Sequence, residues 1–424
     1  MSVNSRSKKP VGPGCDVFDP GSLPLEVAIA QILAATPEPT RRKTVKLRKA
    51  FGRVLATDIH APADVPNHTN SAMDGYAFDG RELGTGGTCE LRLIGTAYAG
   101  KPYNGKVNGG ETVKIMTGAV MPENTDTVVM QEYASLENDV MHITKAAKTG
   151  QNVRQAGEDI RKGALVLQAG RRISAADLGL LASLGYKEVC VYKKPRVAFF
   201  SNGDEIRQVG ESLEIGELYD SNRHTLYAML KNADAKGIDL GVMGDDYNAI
   251  KEIIQKGDEI ADMVVTSAGA SVGEADYIYD ILSELGKVNL WKIAIKPGRP
   301  LAFGELENSV FFGLPGNPVS VMTSFASCVK PAIEKLSGEK APRPIQLKAI
   351  TTSDISKRPG RSEFQRGLAY NNESGDLMVD VRKYQGSGVL SSMAEGNCFV
   401  SLNIDSTGAK TGGLVDIVLF SELF

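Results

Sequence analysis

Apolar positions at helical spacing predict a helix on either side of a different kind of segment. Within 24–35 they recur every three to four residues, which predicts a helix. A second helix is predicted over 174–184, with Ser174 as its N-cap and Gly185 as its C-terminal stop. Between the two helices, 61–154 is rich in Gly, Thr and Val and contains short alternating runs and Asn-Gly turn pairs. This part therefore predicts a small all-β module.

From Pro195 onward, short apolar runs alternate with helical patterns and glycine-bearing loops. The predicted strands are 196–200, 263–266, 291–295, 301–303 and 310–312, and the predicted helices are 221–231, 277–285 and 318–336. Strand, loop and helix in repetition are typical of a parallel α/β sheet. After a linker marked by Pro342 and Pro344, the tail returns to short β runs at 345–350, 377–381, 398–403 and 414–420.

Composition narrows the functional classes. The chain has 424 residues, with 48 Lys and Arg against 51 Asp and Glu, which gives a net charge of −3. This charge balance does not indicate a nucleic-acid-binding protein. No run approaches the ~20 apolar residues of a membrane span, and the polar start is not a signal peptide. Five scattered cysteines argue against disulfides or a thiolate metal site, so we expect a cytoplasmic protein. The four histidines lack zinc-ligand spacing.

Three loops are expected at the carboxyl edge of the α/β sheet, where ligands of such sheets bind. The first carries Asp204 and Glu205, the second carries Glu274 and Asp276, and the third is 313–318. In the third loop, Asn317 as N-cap and Pro318 as first helical residue favour an oxyanion at the helix start. A merely well-made helix start and merely solvated acids remain alternatives.

A basic stretch follows the second loop. Lys292 and Lys296 are four residues apart, so in one extended strand they share a face, and Arg299 comes soon after. Cations this close favour an anion among them, although an ordinary solvated strand edge explains them equally well. Acids and lysines together suit a phosphorylated or metal-oxyanion ligand.

An ordered set of motifs resembles the MoeA family of molybdopterin molybdenumtransferases, to which the gephyrin E domain belongs. The motifs lie at 70–77, 115–119, 152–154 with 157–159, 201–205, 271–277, 296–300, 313–320, 360–361 with 364–367, and 385–387. They run in order from about residue 20 to the end. The resemblance implies insertion of molybdate into adenylylated molybdopterin with Mg²⁺-dependent hydrolysis of the adenylate, releasing AMP and molybdenum cofactor.

The resemblance also implies a domain organisation. We expect a disordered 1–19, a discontinuous helical domain of 20–60 with 160–193, an inserted β module of 61–159, a molybdopterin-binding-like parallel α/β domain of 194–340, and a β-barrel-like domain of 341–424. The family forms homodimers in which the active site lies between the α/β domain and the β module of the partner subunit.

Site residues follow from the resemblance position by position. The expected catalytic residues are Asp74, Thr117, Glu205, Asp245, Asp276, Lys292 and Lys296. The expected substrate-binding residues are Arg154, Asp159, Ser271, Gly273, Arg299, Gly316, Asn317, Arg366 and Ser387. Glu205 and Asp276 are the expected Mg²⁺ ligands, the lysines are expected to hold phosphate or molybdate, and Asp74 and Thr117 are expected to reach in from the partner subunit.

The chain departs from the family pattern in two places, and other readings stay open. Ala268-Gly269-Ala270 stands where the family usually has Gly-Gly-Val, which predicts altered ligand fit, and Arg299 stands where Lys is common. A molybdopterin adenylyltransferase, a non-catalytic scaffold of the gephyrin E-domain type and a generic Mg²⁺-dependent phosphohydrolase are the alternatives. Docking of an adenylyltransferase, a molybdoenzyme or a cofactor carrier is left open.

Overall fold

The computed structural model describes residues 21–268, 277–340 and 344–424. Within them, separate hydrophobic cores belong to four groups of elements. Helices of the described part are all too short or too polar to cross a membrane. The predicted disorder of 1–19 falls outside the described residues.

The first unit joins residues from both sides of the inserted β module. Its elements are the helix Leu25–Ala35, the strands Arg42–Lys46, Ile59–His60, Leu165–Leu167 and Glu188–Tyr192, and the helix Ala175–Ser183. The outer two strands pair with each other and so do the inner two, all antiparallel. Ser174 caps the second helix in a capping box with Asp177, which confirms the predicted N-cap.

The inserted module is a six-stranded sheet. In spatial order its strands are Thr127–Met130, Gly75–Phe78, Glu111–Ile115, Glu90–Ala97, Val140–Ile143 and Ala134–Glu137. A separate antiparallel ribbon pairs Asn70–Ser71 with Val153–Arg154. It is tied to the module because Gly118 N–H donates to the Ser71 carbonyl at 2.8 Å. The predicted all-β character of this segment is confirmed.

The α/β domain contains a six-stranded sheet. Its order is Lys236–Met243, Arg196–Asn202, Met263–Ser267, Val310–Leu314, Pro300–Glu305 and Lys287–Lys292. The first four strands are parallel. Pro300–Glu305 runs antiparallel to both of its neighbours, so Lys287–Lys292 again runs with the parallel four. The sheet is therefore mixed: the predicted parallel arrangement holds for five of its six strands, and Pro300–Glu305 alone runs against them.

Helices cover both faces of this sheet. They are Ser221–Asn232, Tyr247–Ile260, Ile278–Leu285, Pro318–Ser324 and Lys330–Leu336, the last two joined by a π-helical turn at Phe325–Val329. Alternate residues of the strand Arg196–Asn202 enter opposite cores: Val197 and Phe199 one, Ala198 and Phe200 the other. The helix Leu25–Ala35 packs against the same face of this sheet as Val197 and Phe199, because its Ala28 and Ile32 belong to the same core.

The C-terminal unit is a closed five-stranded barrel. Its strands are Leu347–Thr351, Ser362–Asn371, Leu377–Val381, Cys398–Leu402 and Leu414–Leu419, with short strands at Ile355–Ser356 and Gly408–Ala409 and helices at Ser391–Glu395 and Phe420–Leu423. Pairing of Ser362–Asn371 with Cys398–Leu402 closes the ring. The predicted barrel-like domain is confirmed.

One sequence prediction about the basic stretch is wrong. Lys292 ends a strand of the α/β sheet, whereas Ile295–Lys296 is a separate short strand that pairs in parallel with Ser362–Glu363 of the barrel. The physical reason is burial: Ile293, Ala294 and Ile295 are at most 4% exposed and carry the chain through the interior from one sheet to the other. Lys292 and Lys296 therefore do not share the face of one strand.

Candidate active site

The carboxyl ends of five strands meet at one edge of the α/β sheet. Asn202, Met243, Ser267 and Leu314 end the parallel strands there, and Lys292 ends the outermost strand at the same edge. Chain segments leaving this edge in the described part of the chain carry Asp204, Glu205 and Asp245, and the third loop follows Leu314. Open α/β sheets bind ligands in this position.

The first loop requires its glycine. Gly203 has a φ of +143°, a conformation that L side chains rarely adopt. A Cβ placed there would also lie only 2.7 Å from Oε2 of Glu205, whose side chain folds back over the glycine. Glu205 is exposed, and its carbonyl accepts a hydrogen bond from Leu218 N–H at 2.9 Å. The loop thus places an exposed carboxylate at the edge of the sheet.

A polar relay connects this edge to Asp245. The buried Thr266 hydroxyl donates to Oδ1 of Asn202 at 3.0 Å, and Nδ2 of Asn202 donates to Oδ1 of Asp245 at 3.4 Å. The N–H of Asp245 donates to Asp204 at 3.0 Å. Asp246, by contrast, caps the helix Tyr247–Ile260 by accepting from Ala249 N–H at 2.8 Å. Of the two adjacent acids, Asp245 is the one held at the sheet edge.

A second buried network supports the same edge. Ser201 Oγ donates to Asp220 at 3.0 Å and lies 2.8 Å from Ser267 Oγ. Asp220, 2% exposed, caps the helix Ser221–Asn232 and pairs with Arg223 at 3.0 Å. Sequence reasoning missed Asp220 as a support of the edge, although its position directly before a predicted helix is an N-cap signal.

The third loop meets the barrel. Asn317 occupies the N-cap position of the helix Pro318–Ser324, but its side chain makes no capping hydrogen bond. Instead Val319 N–H donates to the Ser387 carbonyl of the barrel at 3.0 Å, and the Gly316 carbonyl accepts from Asn222 Nδ2 at 2.7 Å. The N–H of Val319 is therefore taken by the barrel loop and is not available to an oxyanion at this helix start.

Arg366 lies behind that barrel loop. It is 1% exposed, and its guanidinium donates to Ser392 Oγ at 3.0 Å and to the carbonyls of Tyr384 and Gly386 at 3.3 and 2.9 Å. Burial lowers the pKa of Arg366 to about 10. These contacts make Arg366 a residue that positions the loop bearing Ser387, and its predicted contact with substrate stays a prediction.

The basic residues occupy the junction between sheet and barrel. Lys292 is exposed, and its carbonyl accepts from Leu23 N–H at 2.8 Å. Lys296 lies 3.6 Å from Oε1 of Glu363. The Arg299 carbonyl accepts from Ile293 N–H at 2.7 Å, which returns the chain to the sheet at Pro300–Glu305. The site residues of this stretch thus belong to both domains.

The inserted module carries its own cluster. Oδ1 of Asp74 accepts from Thr117 N–H at 2.7 Å and from the Thr117 hydroxyl at 2.8 Å, and these bonds hold the pKa of Asp74 below its ordinary value. Arg154 pairs in register with Asn70 on the adjoining ribbon, and both Arg154 and Asp159 are exposed. The structure therefore brings Asp74 and Thr117 into direct contact within their own module.

The expected Mg²⁺ site is only partly described. Asp276, Ser271 and Gly273 lie outside the described residues. Within the described ranges, no group of three His, Cys, Asp or Glu side chains is placed to hold a metal ion. Because Mg²⁺ is usually held by one or two carboxylates plus substrate phosphates and water, an exposed Glu205 at the sheet edge fits that chemistry.

Fold and site geometry together define a multidomain protein whose α/β domain carries acids and lysines at the carboxyl edge of its sheet, where a barrel loop makes contact. Three family models match consecutive parts of the chain: "MoeA N-terminal region (domain I and II)" at 23–185, "Probable molybdopterin binding domain" at 198–335 and "MoeA C-terminal region (domain IV)" at 348–420. The chain belongs to the MoeA family. The fold class predicted from the sequence is confirmed at the level of its domains.

Named relatives agree over nearly the whole length. A molybdopterin molybdenumtransferase of Haemophilus influenzae is 41% identical over 403 residues, which cover 95% of this chain and 99% of that protein. One from Nostoc sp. is 34% identical and covers 87% of this chain and 86% of its own length. The crystal structure of a molybdopterin biosynthesis moeA protein from Pyrococcus horikoshii OT3 has a TM-score of 0.81 and 32% identity, covering 94% of this chain and 100% of that one.

Proposed function

We propose that this protein is a molybdopterin molybdenumtransferase, which inserts molybdenum from molybdate into adenylylated molybdopterin and releases AMP and molybdenum cofactor. The observation that carries the proposal is that Glu205, Asp245 and Lys292 all follow or end strands at the carboxyl edge of one sheet, where Val319, after the third loop, donates to the Ser387 carbonyl of a barrel loop. The full-length likeness to transferases of that name supports it. In the reaction, a phosphoanhydride bond of the adenylate breaks and water supplies the oxygen and protons of the two phosphate products.

The side chains divide this work by charge. Lys292, Lys296 and Arg299 bind molybdate or the substrate phosphate as point charges and hydrogen-bond donors. Glu205, with Asp276, would hold Mg²⁺, which neutralises phosphate charge during hydrolysis. Asp245, kept in place by Asn202, is available to accept a proton or orient water. Four cysteines of the described chain are free thiols, in keeping with a cytoplasmic enzyme.

The active site is completed by a second copy of the chain. Asp74 and Thr117 make their hydrogen bonds within the inserted module, far along the chain from the α/β loops they would serve. We therefore infer a symmetric homodimer in which each inserted module faces the partner's sheet edge. Mixing equal amounts of Asp74→Asn and Glu205→Gln subunits should restore about a quarter of wild-type turnover, because half of the randomly assorted dimers are hybrids and one of the two sites in each hybrid is intact. Mixtures that stay as inactive as either variant alone would contradict the shared site.

The product distinguishes the proposed reaction from its alternatives. Purified protein is incubated with adenylylated molybdopterin, Mg²⁺ and molybdate, and AMP is measured by chromatography together with reconstitution of an apo-molybdoenzyme. We expect AMP and active cofactor in equal amounts, both dependent on molybdate. Pyrophosphate formed from ATP and molybdopterin would instead indicate an adenylyltransferase, and no turnover of either kind would indicate a scaffold.

A further inference from the structure

Lys296 faces a buried acid that none of the site motifs contains. Lys296 and Glu363 are direct register partners in the parallel pairing between the short strand after the α/β sheet and the long barrel strand. Paired residues of neighbouring strands present their side chains on the same face. Accordingly Lys296 Nζ lies 3.6 Å from Glu363 Oε1.

The two oxygens of Glu363 have different partners. Oε1 faces Lys296, while Oε2 accepts a hydrogen bond from Nε2 of Gln365 at 3.0 Å, two residues along the same strand. The Glu363 side chain is only 10% exposed, whereas that of Lys296 is 42% exposed. The carboxylate is thus fixed within the junction, and the side chain of the lysine is partly exposed to solvent.

A second lysine near this acid cannot respond in the same way. Lys357 is 6% exposed and donates to the carbonyls of Arg358, Ile404 and Ser406 at 3.0–3.2 Å. Burial lowers the pKa of Lys357 and the charge of Glu363 opposes that shift. Because its three donors are taken by main-chain acceptors, Lys357 is held in place, whereas the Lys296 side chain beside Glu363 is 42% exposed.

We propose that Glu363 is a positioning residue of the active site: it fixes the ammonium of Lys296 at the junction of sheet and barrel and limits how tightly that ammonium binds an oxyanion. The inference rests on the proposed function, because it assigns Lys296 to anion binding. A carboxylate beside a lysine repels an incoming anion and at the same time holds the lysine in one geometry. Glu363 therefore lowers the affinity of the site for the oxyanion in the ground state and at the same time orients the ammonium of Lys296.

The test is a double-mutant cycle on Lys296 and Glu363. Molybdate is titrated in the presence of AMP against the wild type, Glu363→Gln, Lys296→Gln and the double variant, and turnover is measured for each. Glu363→Gln removes the charge but keeps the size of the side chain and a group that can bond Gln365. We expect it to bind molybdate about threefold to tenfold more tightly, from the loss of a nearby negative charge. We expect its kcat to fall by about tenfold, and Glu363→Asp to recover part of that loss.

In the Lys296→Gln background, the change from Glu to Gln at 363 should alter molybdate affinity by less than about twofold, since the coupled residue is gone. Asp354→Asn is the matched control: Asp354 is an acid of the same barrel paired with Lys410 at 2.7 Å, and its neutralisation should leave affinity and kcat as in the wild type.

The outcomes separate this inference from the proposed function. If Lys296→Gln weakens molybdate binding while Glu363→Gln leaves affinity and kcat unchanged, the positioning role is wrong and the proposed function stands. If Glu363→Gln weakens binding together with a fall in melting temperature, Glu363 is only structural. If wild type and Lys296→Gln bind molybdate equally or not at all, both the anion role of Lys296 and the inference built on it are wrong.

Discussion

A single residue, Thr117, gives two hydrogen bonds to one oxygen of Asp74, through its N–H at 2.7 Å and its hydroxyl at 2.8 Å. Because both bonds favour the ionised carboxylate, they lower the pKa of Asp74. The negatively charged carboxylate of Asp74 is thereby held in position before any partner or substrate approaches it.

The first prediction concerns this pair. Thr117→Val removes the hydroxyl and keeps the N–H, so the pKa of Asp74 should rise toward, but stay below, its ordinary value of about 3.9. In the wild type, the stability that this ionisation contributes is present above the unfolded-state pKa and is lost as pH falls through the lower folded-state pKa. Carboxyl-carbon NMR titration measures the shift. Thr125→Val, in the same module, should leave the Asp74 titration unchanged; an unchanged titration in Thr117→Val would contradict the assignment.

Two adjacent acids should behave oppositely. Asp246→Ala removes the cap of the helix Tyr247–Ile260 and should lower the free energy of unfolding by about 1 kcal/mol with little effect on turnover. Asp245→Ala removes a side chain held at the sheet edge by Asn202 and should reduce turnover strongly with little effect on stability. Urea denaturation and AMP release measure the two effects. The reverse pattern would mean that the catalytic position belongs to Asp246.

Arg366 should prove irreplaceable by lysine. An ammonium cannot reach Ser392 and the carbonyl of Gly386 together, so Arg366→Lys should lower the free energy of unfolding by roughly 1–3 kcal/mol. It should also speed hydrogen exchange of the Val319 amide, which donates to the Ser387 carbonyl of the same loop. Arg81→Lys, at an exposed pair with Asp79, is the control and should leave the free energy of unfolding nearly unchanged. Unaltered exchange at Val319 would refute the loop-positioning role.

Ala268 sits in a backbone conformation that favours glycine. Its φ is +86°, and its N–H donates to the Leu314 carbonyl at 3.1 Å. A left-handed backbone conformation costs roughly 1–2 kcal/mol for a residue with a Cβ. Glycine in turn lowers the free energy of unfolding by roughly 0.4–1 kcal/mol, because it increases the conformational entropy of the unfolded chain. Ala268→Gly should thus be neutral or stabilising by up to about 1 kcal/mol, whereas Ala268→Val should destabilise by more than that. Thermal unfolding of the two variants gives the comparison, and a stabilised Ala268→Val would contradict it.

Local patterns in the sequence were sufficient to predict most helices and strands. They were not sufficient for strands whose position depends on pairing with segments distant in the sequence. The N-cap at Ser174 and the strand Leu377–Val381 follow from short-range signals and lie where they were predicted. The barrel strand Ser362–Asn371 was missed, since the fully buried Arg366 stands where alternation calls for an apolar residue.

The candidate site shows the same limit. The acids Glu205 and Asp245 could be placed because they follow predicted strands or resemble a family motif. The even spacing of Lys292 and Lys296 misled, because it implies a shared face only in a continuous strand. Glu363 could not be found, since its relation to Lys296 exists only once a barrel strand pairs beside the lysine.

We propose that molybdate-dependent release of AMP takes place at the carboxyl edge of the α/β sheet. AMP and molybdenum-loaded cofactor are measured together, in the presence and absence of molybdate, for the wild type, Glu205→Gln and Asp246→Ala. We expect equal yields of AMP and cofactor in the wild type and in Asp246→Ala, and little of either product without molybdate. Glu205→Gln should lose most of both products while its melting temperature stays unchanged. Wild-type yields that do not respond to molybdate, or full activity in Glu205→Gln, would contradict this proposal.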